Sequence, residues 1–345
     1  MEGSTRTDWL KVDANEGSCV LDAEQLGRVL SPEVARRYPR AELLEKDLAA
    51  FFGVEASQVI ATAGADDAIE RAFRALAGKG SKVLTTTPGF VEFLDACRRT
   101  NASFVPVRRD PLSAFPLEKF LSRITMEKPV LAVIASPDNP TGTMLGMDEF
   151  RRIAEACAAC GTVFLLDITY IDFADDLSIF KAALETPGLL LTGSFSKSRG
   201  LAGFRAGWAM TGLATAGLIG RLREAGPPFS LSSPAIEAAR IALAEGGARY
   251  AQFVKRIGVE RKALAKILSV MGARTWPSQA NFVSALVPNA QAFVMALRSQ
   301  GILVRYWPGN SDAEGLVRIT CPGEEASFER LKNALERMEA FSWQA

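Results

Sequence analysis

One lysine in the middle of the chain is surrounded by residue types that suit covalent chemistry. Lys197 lies in the segment TGSFSKSRGLAGFR (192–205), with Ser194 and Ser196 before it and Arg205 after it. A lysine that forms a Schiff base needs an amine held at a fixed point, and the serine hydroxyls and the arginine can bind an anion beside it. From this segment alone, a reactive lysine and an ordinary solvated lysine are equally good interpretations.

A second segment places an asparagine directly after an apolar stretch. Asn139 lies in SPDNPTG (136–142). Because Asn139 precedes a proline, its backbone is restricted to extended conformations, and its amide can point at a ligand over the edge of a sheet. The alternative is a rigid turn that uses asparagine for turn geometry.

Two acidic segments complete the set. Asp167 ends the apolar run in LLDITY (165–170), where a carboxylate is costly unless a cation such as a pyridinium nitrogen pairs with it; Tyr170 could donate to a phenolate oxygen. The alternative for Asp167 is a cap of the next segment. The segment AGADD (63–67) opens a helix, where small residues and free N–H groups attract an anion. Alone, this segment favours the simpler interpretation that Asp66 or Asp67 charges the helix start.

The elements that must position these residues alternate along the chain. Helices are predicted at 41–52, 65–77, 90–100 and 148–160, and strands at 82–86, 103–107, 130–136, 162–167 and 189–192. This alternation predicts an α/β fold whose large domain has a mainly parallel sheet sandwiched by helices. From about Leu213 helices dominate, and strands at 282–287, 302–305 and 316–320, with a helix between and one at the end, predict a smaller α+β domain. We expect residues 38–235 to form the large domain, residues 236–345 the small domain, and residues 1–37 a segment that joins the small domain.

Composition excludes several classes of function. The 345 residues are 48% hydrophobic with a net charge of +1, which gives no electrostatic footprint for nucleic acid or an anionic membrane. The chain has no histidine, so triads, metal sites and acid–base catalysis that use histidine are excluded, and we expect no metal site. No apolar stretch is long enough to span a bilayer, and charged residues interrupt the start as a secretory signal.

The five cysteines indicate a reduced compartment. Their scatter does not suggest a disulfide framework, so we expect a cytoplasmic protein. Cys157 and Cys160 have the spacing of a redox motif, but they lie in a predicted helix, where packing is the better interpretation.

A lysine, a carboxylate for a ring nitrogen, donors for a ring oxygen and a phosphate cradle are what pyridoxal 5′-phosphate (PLP) requires. The sequence resembles the fold-type I PLP-dependent aminotransferases of class I and II, and among them the histidinol-phosphate aminotransferase group. The resemblance extends from Val12 to the last helix and rests on PDNPTG (137–142), DITY (167–170) and SFSK (194–197) with Arg205.

The resemblance implies a role for each matching residue around the cofactor. Lys197 would hold PLP and move the substrate proton, and Asp167 would keep the pyridine nitrogen protonated. Asn139 and Tyr170 would hydrogen-bond the ring oxygen. The phosphate site would comprise Ala65, Asp66, Ser194, Ser196 and Arg205. Phe93 falls where the family has an aromatic ring stacked on PLP.

The resemblance also implies substrate contacts and a partner. Arg318 would clamp the substrate carboxylate, Arg305 would lie near the substrate as a second arginine, and Asn139 would share this contact. Tyr38 resembles the tyrosine that reaches the phosphate in the partner subunit, which implies a homodimer with shared active sites. Alternatives are that Phe93 is only a core residue and Arg305 only a surface residue.

Three departures from the group's pattern leave the substrate open. Gly17-Ser18 stands where the group has proline, Phe93 replaces its tyrosine, and Arg40-Ala41-Glu42 replaces its aspartate-proline. The leading hypothesis is transamination between an L-amino acid, or an amino-alcohol phosphate such as histidinol phosphate, and a 2-oxo acid. A decarboxylase of the threonine-phosphate type or an amino-acid oxidase would share these motifs. A non-catalytic PLP-binding module and a phosphate-binding dehydrogenase are weaker alternatives, since the lysine is present and no Gly-x-Gly-x-x-Gly follows a strand.

Overall fold

Two β-sheets organise the chain in the computed structural model, which describes residues 9–212 and 217–338. The strands are β1 (Leu10–Val12), β2 (Val59–Thr62), β3 (Lys82–Thr87), β4 (Ser103–Arg108), β5 (Leu131–Ala135), β6 (Val163–Asp167), β7 (Leu189–Ser194), β8 (Gly207–Thr211), β9 (Arg274–Thr275), β10 (Phe282–Leu286), β11 (Ile302–Tyr306) and β12 (Leu316–Thr320). The helices are α1 (Ala23–Val29), α2 (Pro32–Arg36), α3 (Ala41–Phe52), α4 (Gly64–Leu76), α5 (Val91–Thr100), α6 (Leu117–Glu127), α7 (Met147–Cys160), α8 (Ser178–Leu184), α9 (Leu218–Glu224), α10 (Ser233–Ala244), α11 (Gly247–Val270), α12 (Ala290–Ser299) and α13 (Glu325–Glu336).

The larger sheet has seven strands in the order β2-β8-β7-β6-β5-β3-β4 within the described residues. The pairs β3–β4, β3–β5, β5–β6 and β6–β7 are parallel, whereas β8 runs antiparallel to both of its neighbours. The predicted α/β fold with a mainly parallel sheet is therefore confirmed. Strands β2 and β8 are not among the predicted strands, because β2 has only four residues and β8 mixes glycine and threonine with its apolar residues.

Helices cover both faces of this sheet. Along β5, Leu131 and Val133 join one apolar cluster, and Ala132 and Ile134 join another on the opposite face. Successive side chains of a strand point to opposite faces, so a strand buried on both sides is a continuous apolar run. This explains why the uninterrupted apolar stretches in the sequence predicted these strands correctly.

In the part of the chain that the structure describes, the smaller sheet has five strands in the order β1-β11-β12-β10-β9. Strand β1, from the N-terminal segment, pairs in parallel with β11, and the other pairs are antiparallel. The predicted domain boundaries remain predictions, and residues 1–8, 339–345 and the start of the helix-rich stretch at Leu213 lie outside the described residues. No helix in the described part of the chain combines the length and apolar character needed to cross a bilayer.

Sheet order brings the polar loops together. Strands β5, β6 and β7 are parallel neighbours, so the segments that follow them emerge at one edge of the sheet. Asn139 follows β5, Asp167 ends β6, and Lys197 comes three residues after β7. Open α/β sheets bind ligands at this edge, beyond the carboxyl ends of their parallel strands.

Candidate active site

A cavity of about 370 Å³ lies at this edge, and side chains from the smaller sheet close it. Most of the residues that the sequence singled out line the cavity. They are Ala65, Asp66, Asn139, Asp167, Tyr170, Ser194, Ser196, Lys197, Arg205, Arg305 and Arg318. Phe93 and Tyr38 are not among the lining residues.

Lys197 is held against the N-terminal segment. Its Nζ donates to the carbonyl oxygen of Ala14 at 3.0 Å and lies 5.9 Å from the centroid of the Tyr170 ring. Gly17 packs on the backbone of the lysine, since a Cβ at this glycine would lie 1.9 Å from the Lys197 carbonyl oxygen. This close approach gives a physical reason for the glycine in the Gly17-Ser18 segment, where the group has proline.

The Asp167 carboxylate is buried, and only one of its two oxygens accepts hydrogen bonds from the described part of the chain. Its Oδ1 accepts from the Thr169 N–H at 3.2 Å, the Thr169 hydroxyl at 2.7 Å and the Thr192 hydroxyl at 3.1 Å. All three donors converge on one oxygen, so Oδ2 remains for a donor in the cavity. Burial raises the pKa of the Asp167 carboxyl to about 6, against the lowering effect of the hydrogen bonds from Thr169 and Thr192.

Two polar groups are oriented as donors into the cavity. Asn139 Oδ1 accepts from Arg318 Nη1 at 2.6 Å, which leaves the Asn139 amide nitrogen for a ligand. The Tyr170 oxygen accepts from Asn15 Nδ2 at 2.9 Å, which leaves the hydroxyl proton for a ligand. Together they suit a ligand oxygen that accepts two hydrogen bonds.

Arg318, on β12, is a buried cation without a carboxylate partner among the described residues. Besides Asn139, it donates from Nη2 to the Asp13 carbonyl oxygen at 2.6 Å, and its Nε has no protein partner. Its guanidinium carbon lies 5.3 Å from the Phe282 ring centroid and 5.7 Å from that of Trp307. Burial, with a smaller contribution from the nearby charge of Arg305, lowers the pKa of Arg318 to about 10.

Arg305 faces Arg318 across paired strands. The two residues are register partners of β11 and β12, and Arg305 is exposed at the mouth of the cavity. Its guanidinium carbon lies 5.8 Å from the centroid of the Trp307 ring. Two like charges on directly opposed residues of paired strands repel unless an anion lies between or beside them, so the pair is suited to an anionic ligand.

At the opposite end, the first turn of α4 faces an arginine. Arg205 Nη2 donates to Asp66 Oδ2 at 2.7 Å, and both side chains are about half exposed. A Cβ at Gly64 would lie 2.7 Å from Arg205 Nη2, so glycine makes room for the guanidinium. Ser194 and Ser196 are linked through their hydroxyls at 2.9 Å. The helix N-terminus, the hydroxyls and the guanidinium form a cradle for an anion.

Asp67 has a structural role. Its Oδ2 accepts from the Ala63 N–H at 2.9 Å, and its Oδ1 accepts from Arg71 at 3.0 Å. The helix-start interpretation of this acidic pair therefore applies to Asp67, while Asp66 faces the cavity.

The position of Phe93 does not support a stacking role. Its side chain is 2% exposed and lies in an apolar cluster, with its ring 5.7 Å from that of Phe90 in an edge-on arrangement. Helix α5 begins at Val91, so Phe93 falls on the helix face that packs on the sheet. Phe90, directly before the helix, lines the cavity together with Gly89 and Val91.

Tyr38 lies on the surface, away from this cavity. Its side chain is 81% exposed, and its ring lies 5.2 Å from that of Phe229, which is 59% exposed. Two exposed aromatic rings in contact form an apolar patch of the kind that other protein surfaces cover.

The remaining sequence candidates carry no site in the described residues. All five cysteines are free, and burial in α7 raises the pKa of the Cys157 thiol to about 12, so packing is its better interpretation. No group of three or more metal-ligating side chains occurs among the described residues.

Three residues of the site are not among the candidates that the sequence predicts. Thr169 and Thr192 donate to Asp167, and Asn15 donates to Tyr170, yet no sequence signal gave any of the three a role. Thr169 lies inside the DITY segment and could have been suspected from its position beside the carboxylate. Asn15 and Tyr170 are 155 residues apart in sequence, and nothing local signals their contact.

Comparison with known proteins identifies relatives along nearly the whole chain. The family model "Aminotransferase class I and II" matches residues 12–337. The histidinol-phosphate aminotransferase of Chromobacterium violaceum is 31% identical over 345 residues, covering 95% of this chain and 92% of the relative. That of Paramagnetospirillum magneticum is 32% identical, covering 92% and 88%.

Solved structures share the fold. The histidinol-phosphate aminotransferase of Sinorhizobium meliloti in complex with pyridoxal-5′-phosphate superposes with a TM-score of 0.82 at 25% identity, covering 96% of this chain and 91% of that chain. The Clostridium acetobutylicum enzyme of the same name gives a TM-score of 0.84 at 19% identity, over 96% and 99%. The resemblance that three short motifs predicted is confirmed.

Proposed function

The chain belongs to the class I and II aminotransferase family and is a PLP-dependent aminotransferase; from this premise we propose that its amino donor carries an anionic group that Arg318 binds. The observation that carries the proposal is the buried Arg318 guanidinium, which faces the cavity of Lys197 and has no carboxylate partner among the described residues. Burying a cation of this kind costs free energy of desolvation unless an anion pairs with it.

The residues present fit PLP as cofactor. The phosphate would lie in the cradle of the α4 N-terminus, the linked hydroxyls of Ser194 and Ser196, and Arg205. Small residues at Gly64 and Ala65 leave the backbone open to close approach. Arg205 already pairs with Asp66, so the phosphate would compete with this carboxylate for the guanidinium.

The ring contacts follow from the orientation of the polar groups. The unpaired oxygen of Asp167 suits the pyridine nitrogen, and a positive partner there would reverse the effect of burial on the carboxyl pKa. The amide nitrogen of Asn139 and the hydroxyl of Tyr170 suit the ring oxygen. We assign the stacking position to Phe90, because it lines the cavity and Phe93 does not.

Lys197 is the proposed acid–base residue. When bound, PLP supplies an electron sink that stabilises the negative charge left when a substrate α-carbon loses its proton. The Nζ of Lys197 is the amine in the cavity that would take this proton and return it, and the Ala14 carbonyl oxygen holds that amine in place.

The substrate would lie between Lys197 and the two arginines. Arg318 would bind a carboxylate or phosphate in a bidentate fork, with its Nε still free to donate. Arg305 adds a second positive charge at the mouth. Relatives named for histidinol phosphate make this amino-alcohol phosphate one candidate, and L-amino acids are the other.

We further propose a homodimer whose two active sites are shared. The exposed patch of Tyr38 and Phe229 supports it, since burial against a second copy would cover both rings. In such a dimer, Tyr38 would reach the phosphate end of the cavity in the other copy. The five free thiols support a reducing, cytoplasmic compartment.

A substrate panel tests the proposal. The purified protein loaded with PLP is mixed with single amino donors, including histidinol phosphate, aromatic, basic and acidic amino acids, and loss of the cofactor's visible absorbance is followed. We expect conversion with at least one anionic donor and its reversal by a 2-oxo acid. Release of carbon dioxide or consumption of oxygen would instead favour the decarboxylase or oxidase, which the similarity to aminotransferases does not support. Equal conversion of a donor and its uncharged amide would contradict the role of Arg318.

A further inference from the structure

We propose that Asn15 is a positioning residue that sets the direction of the Tyr170 hydroxyl proton, so that this hydroxyl donates into the cavity. The inference rests on the proposed role of Tyr170 toward the ring oxygen of PLP. It adds the cause of that role, which lies in a chain of hydrogen bonds that begins at Thr320 and passes through Asn15.

Asn15 is locked in place by the smaller sheet. It is 1% exposed and adopts a left-handed backbone with φ of 55°, which asparagine tolerates better than most residues. Its N–H donates to Thr320 Oγ1 at 3.0 Å, and its carbonyl oxygen accepts from Asn281 Nδ2 at 3.1 Å. Both backbone polar groups are therefore satisfied, and the side chain has a fixed origin.

Thr320 determines which way the Asn15 amide faces. Thr320 Oγ1 accepts from the Asn15 N–H, so its single proton is free to donate, and Asn15 Oδ1 lies 2.9 Å away. With the amide reversed, this proton would face an NH₂ group, which cannot accept it. The hydrogen bond from Thr320 thus places the amide oxygen toward Thr320 and the amide nitrogen toward Tyr170.

The amide nitrogen in turn determines the direction of the tyrosine proton. Asn15 Nδ2 lies 2.9 Å from the Tyr170 oxygen and can only donate to it. The Tyr170 proton must therefore point elsewhere, and the described residues offer it no protein acceptor. Because Tyr170 lines the cavity beside Lys197, the remaining direction is toward the ligand.

The same chain of hydrogen bonds joins the two ends of the site. Thr320 lies two residues after Arg318 on β12, the strand that presents the anion-binding guanidinium. Asn15 connects this strand to Tyr170, which follows β6 of the larger sheet. The donor for the cofactor is thus oriented from the strand that binds the substrate anion.

The variant Asn15→Asp changes the direction of the Tyr170 hydroxyl proton while nearly preserving the packing of the side chain at position 15. Aspartate has nearly the shape of asparagine, but its carboxylate only accepts, so it would draw the Tyr170 proton away from the cavity. The pH at which the visible absorbance of the PLP-loaded protein is half changed is called the spectral midpoint. We expect the spectral midpoint of Asn15→Asp to lie about one pH unit higher than that of the parent, since a donor that stabilises the ring oxygen is lost. For the same reason, we expect this variant to bind PLP about tenfold more weakly. For Asn15→Ala, which frees the hydroxyl to rotate, we expect about threefold weaker binding.

A purely structural role predicts the reverse order, because alanine leaves a cavity and aspartate does not. Thermal unfolding of each loaded variant records the packing effect separately. If alanine proves worse than aspartate in both the spectral midpoint and PLP affinity, the proposal is overturned. Should Asn15→Asp not fold, Thr320→Val removes the orienting proton and is expected to shift the midpoint in the same direction, with Thr320→Ser unchanged; an unshifted Thr320→Val would also overturn it.

A double-mutant cycle with Tyr170→Phe distinguishes this inference from the proposed function. Without the hydroxyl, Asn15→Asp retains only the effect of its added charge, so its shift in the midpoint should fall to less than half. An equal shift in both backgrounds would show that Asn15 does not act through Tyr170. If Tyr170→Phe itself leaves the spectrum and the affinity for PLP unchanged, the proposed role of Tyr170 fails, and the inference fails with it.

Discussion

The charged side chains at the two ends of the cavity differ in the partners that the protein gives them. On the side of the larger sheet, Arg205 pairs with the Asp66 carboxylate, and the Asp167 carboxylate accepts three hydrogen bonds on one oxygen. On the side of the smaller sheet, Arg318 and Arg305 have no carboxylate partner among the described residues. The first side is suited to a ligand that stays bound, and the second to an anion that arrives and leaves with each turnover.

This difference has a physical basis in the lifetime of each ligand. A ligand that stays bound through many turnovers is held more precisely when the protein side chains around it are already fixed in position. A buried cation whose protein partners are all neutral, in contrast, carries a desolvation cost that a bound anion offsets. The four predictions below test this contrast, in order of decreasing expected effect.

Replacing Lys197 with alanine should have the largest effect. The variant loses the amine that moves the substrate proton, and general acid–base groups contribute up to about 10⁴-fold to a rate. We expect kcat to fall by about this factor while the fold is retained, as measured by steady-state kinetics with the best donor of the panel.

The exposed Lys266 of α11 provides a matched control. Lys266→Ala should leave kcat unchanged within about twofold, since surface substitutions have small effects. Near-wild-type turnover in Lys197→Ala would remove the lysine from the reaction and with it the proposed arrangement of the site.

Replacing Asp167 with asparagine should reduce kcat by about 10³-fold, because breaking one partner of a buried charge pair costs a few kcal/mol. The shape of the side chain is kept, so the loss reports the negative charge that faces the pyridine nitrogen. Steady-state rates at saturating PLP measure it, with Asp176→Asn in an exposed turn as the control. A variant with full activity would show that the ring nitrogen needs no anionic partner here.

The apoprotein should become less stable as pH rises through the titration of Asp167. Burial raises the pKa of this carboxyl from its ordinary value of 3.8 to about 6, so in this window the folded chain keeps a proton that the unfolded chain has released. The contribution to the free energy of unfolding falls by roughly 3 kcal/mol between these pH values and is constant above them.

Denaturant unfolding of the apoprotein and of apo-Asp167→Asn across this pH range measures the effect by difference. The asparagine variant should lack this component of the pH dependence, and PLP should diminish it in the parent, because a positive partner stabilises the carboxylate. Superimposable pH profiles of parent and variant would mean that Asp167 does not carry a raised pKa.

The same contrast explains what the sequence could predict. Asp167, Lys197 and Asn139 lie in short segments after apolar strands, and the groups that hold Asp167 are as near as Thr169. Strand order then follows from alternating elements, so this edge of the larger sheet could be predicted well. The predicted strands and helices lie within two residues of their observed ends.

The other side depends on contacts between distant residues. Arg318 and Asn139 are 179 residues apart, and Asn15 and Thr320 are 305 apart. Only the packing of the two sheets brings them together, and no local pattern encodes it. The stacking residue shows the same limit: the sequence motif contains both Phe90 and Phe93, and of these two only Phe90 lines the cavity.

Replacing Arg318 with lysine should separate substrate binding from cofactor binding. Lysine keeps the charge but loses the planar fork and the hydrogen bond that orients Asn139. We expect kcat/KM for an anionic donor to fall by about 10²-fold. The affinity for PLP should change by no more than about threefold, since only the Asn139 contact is disturbed.

Arg298→Lys, on the exposed face of α12, serves as the control and should match the parent in both measurements. The informative comparison is between a donor that carries the anion and the same donor with this group neutralised as an amide or ester. If Arg318 binds the anion, the substitution costs the charged donor far more than the neutral one, because only the former meets the fork. Equal losses for both donors, or a loss of PLP affinity as large as the loss in kcat/KM, would mean that Arg318 acts in cofactor binding. Either result would contradict the proposed difference between the two ends of the cavity.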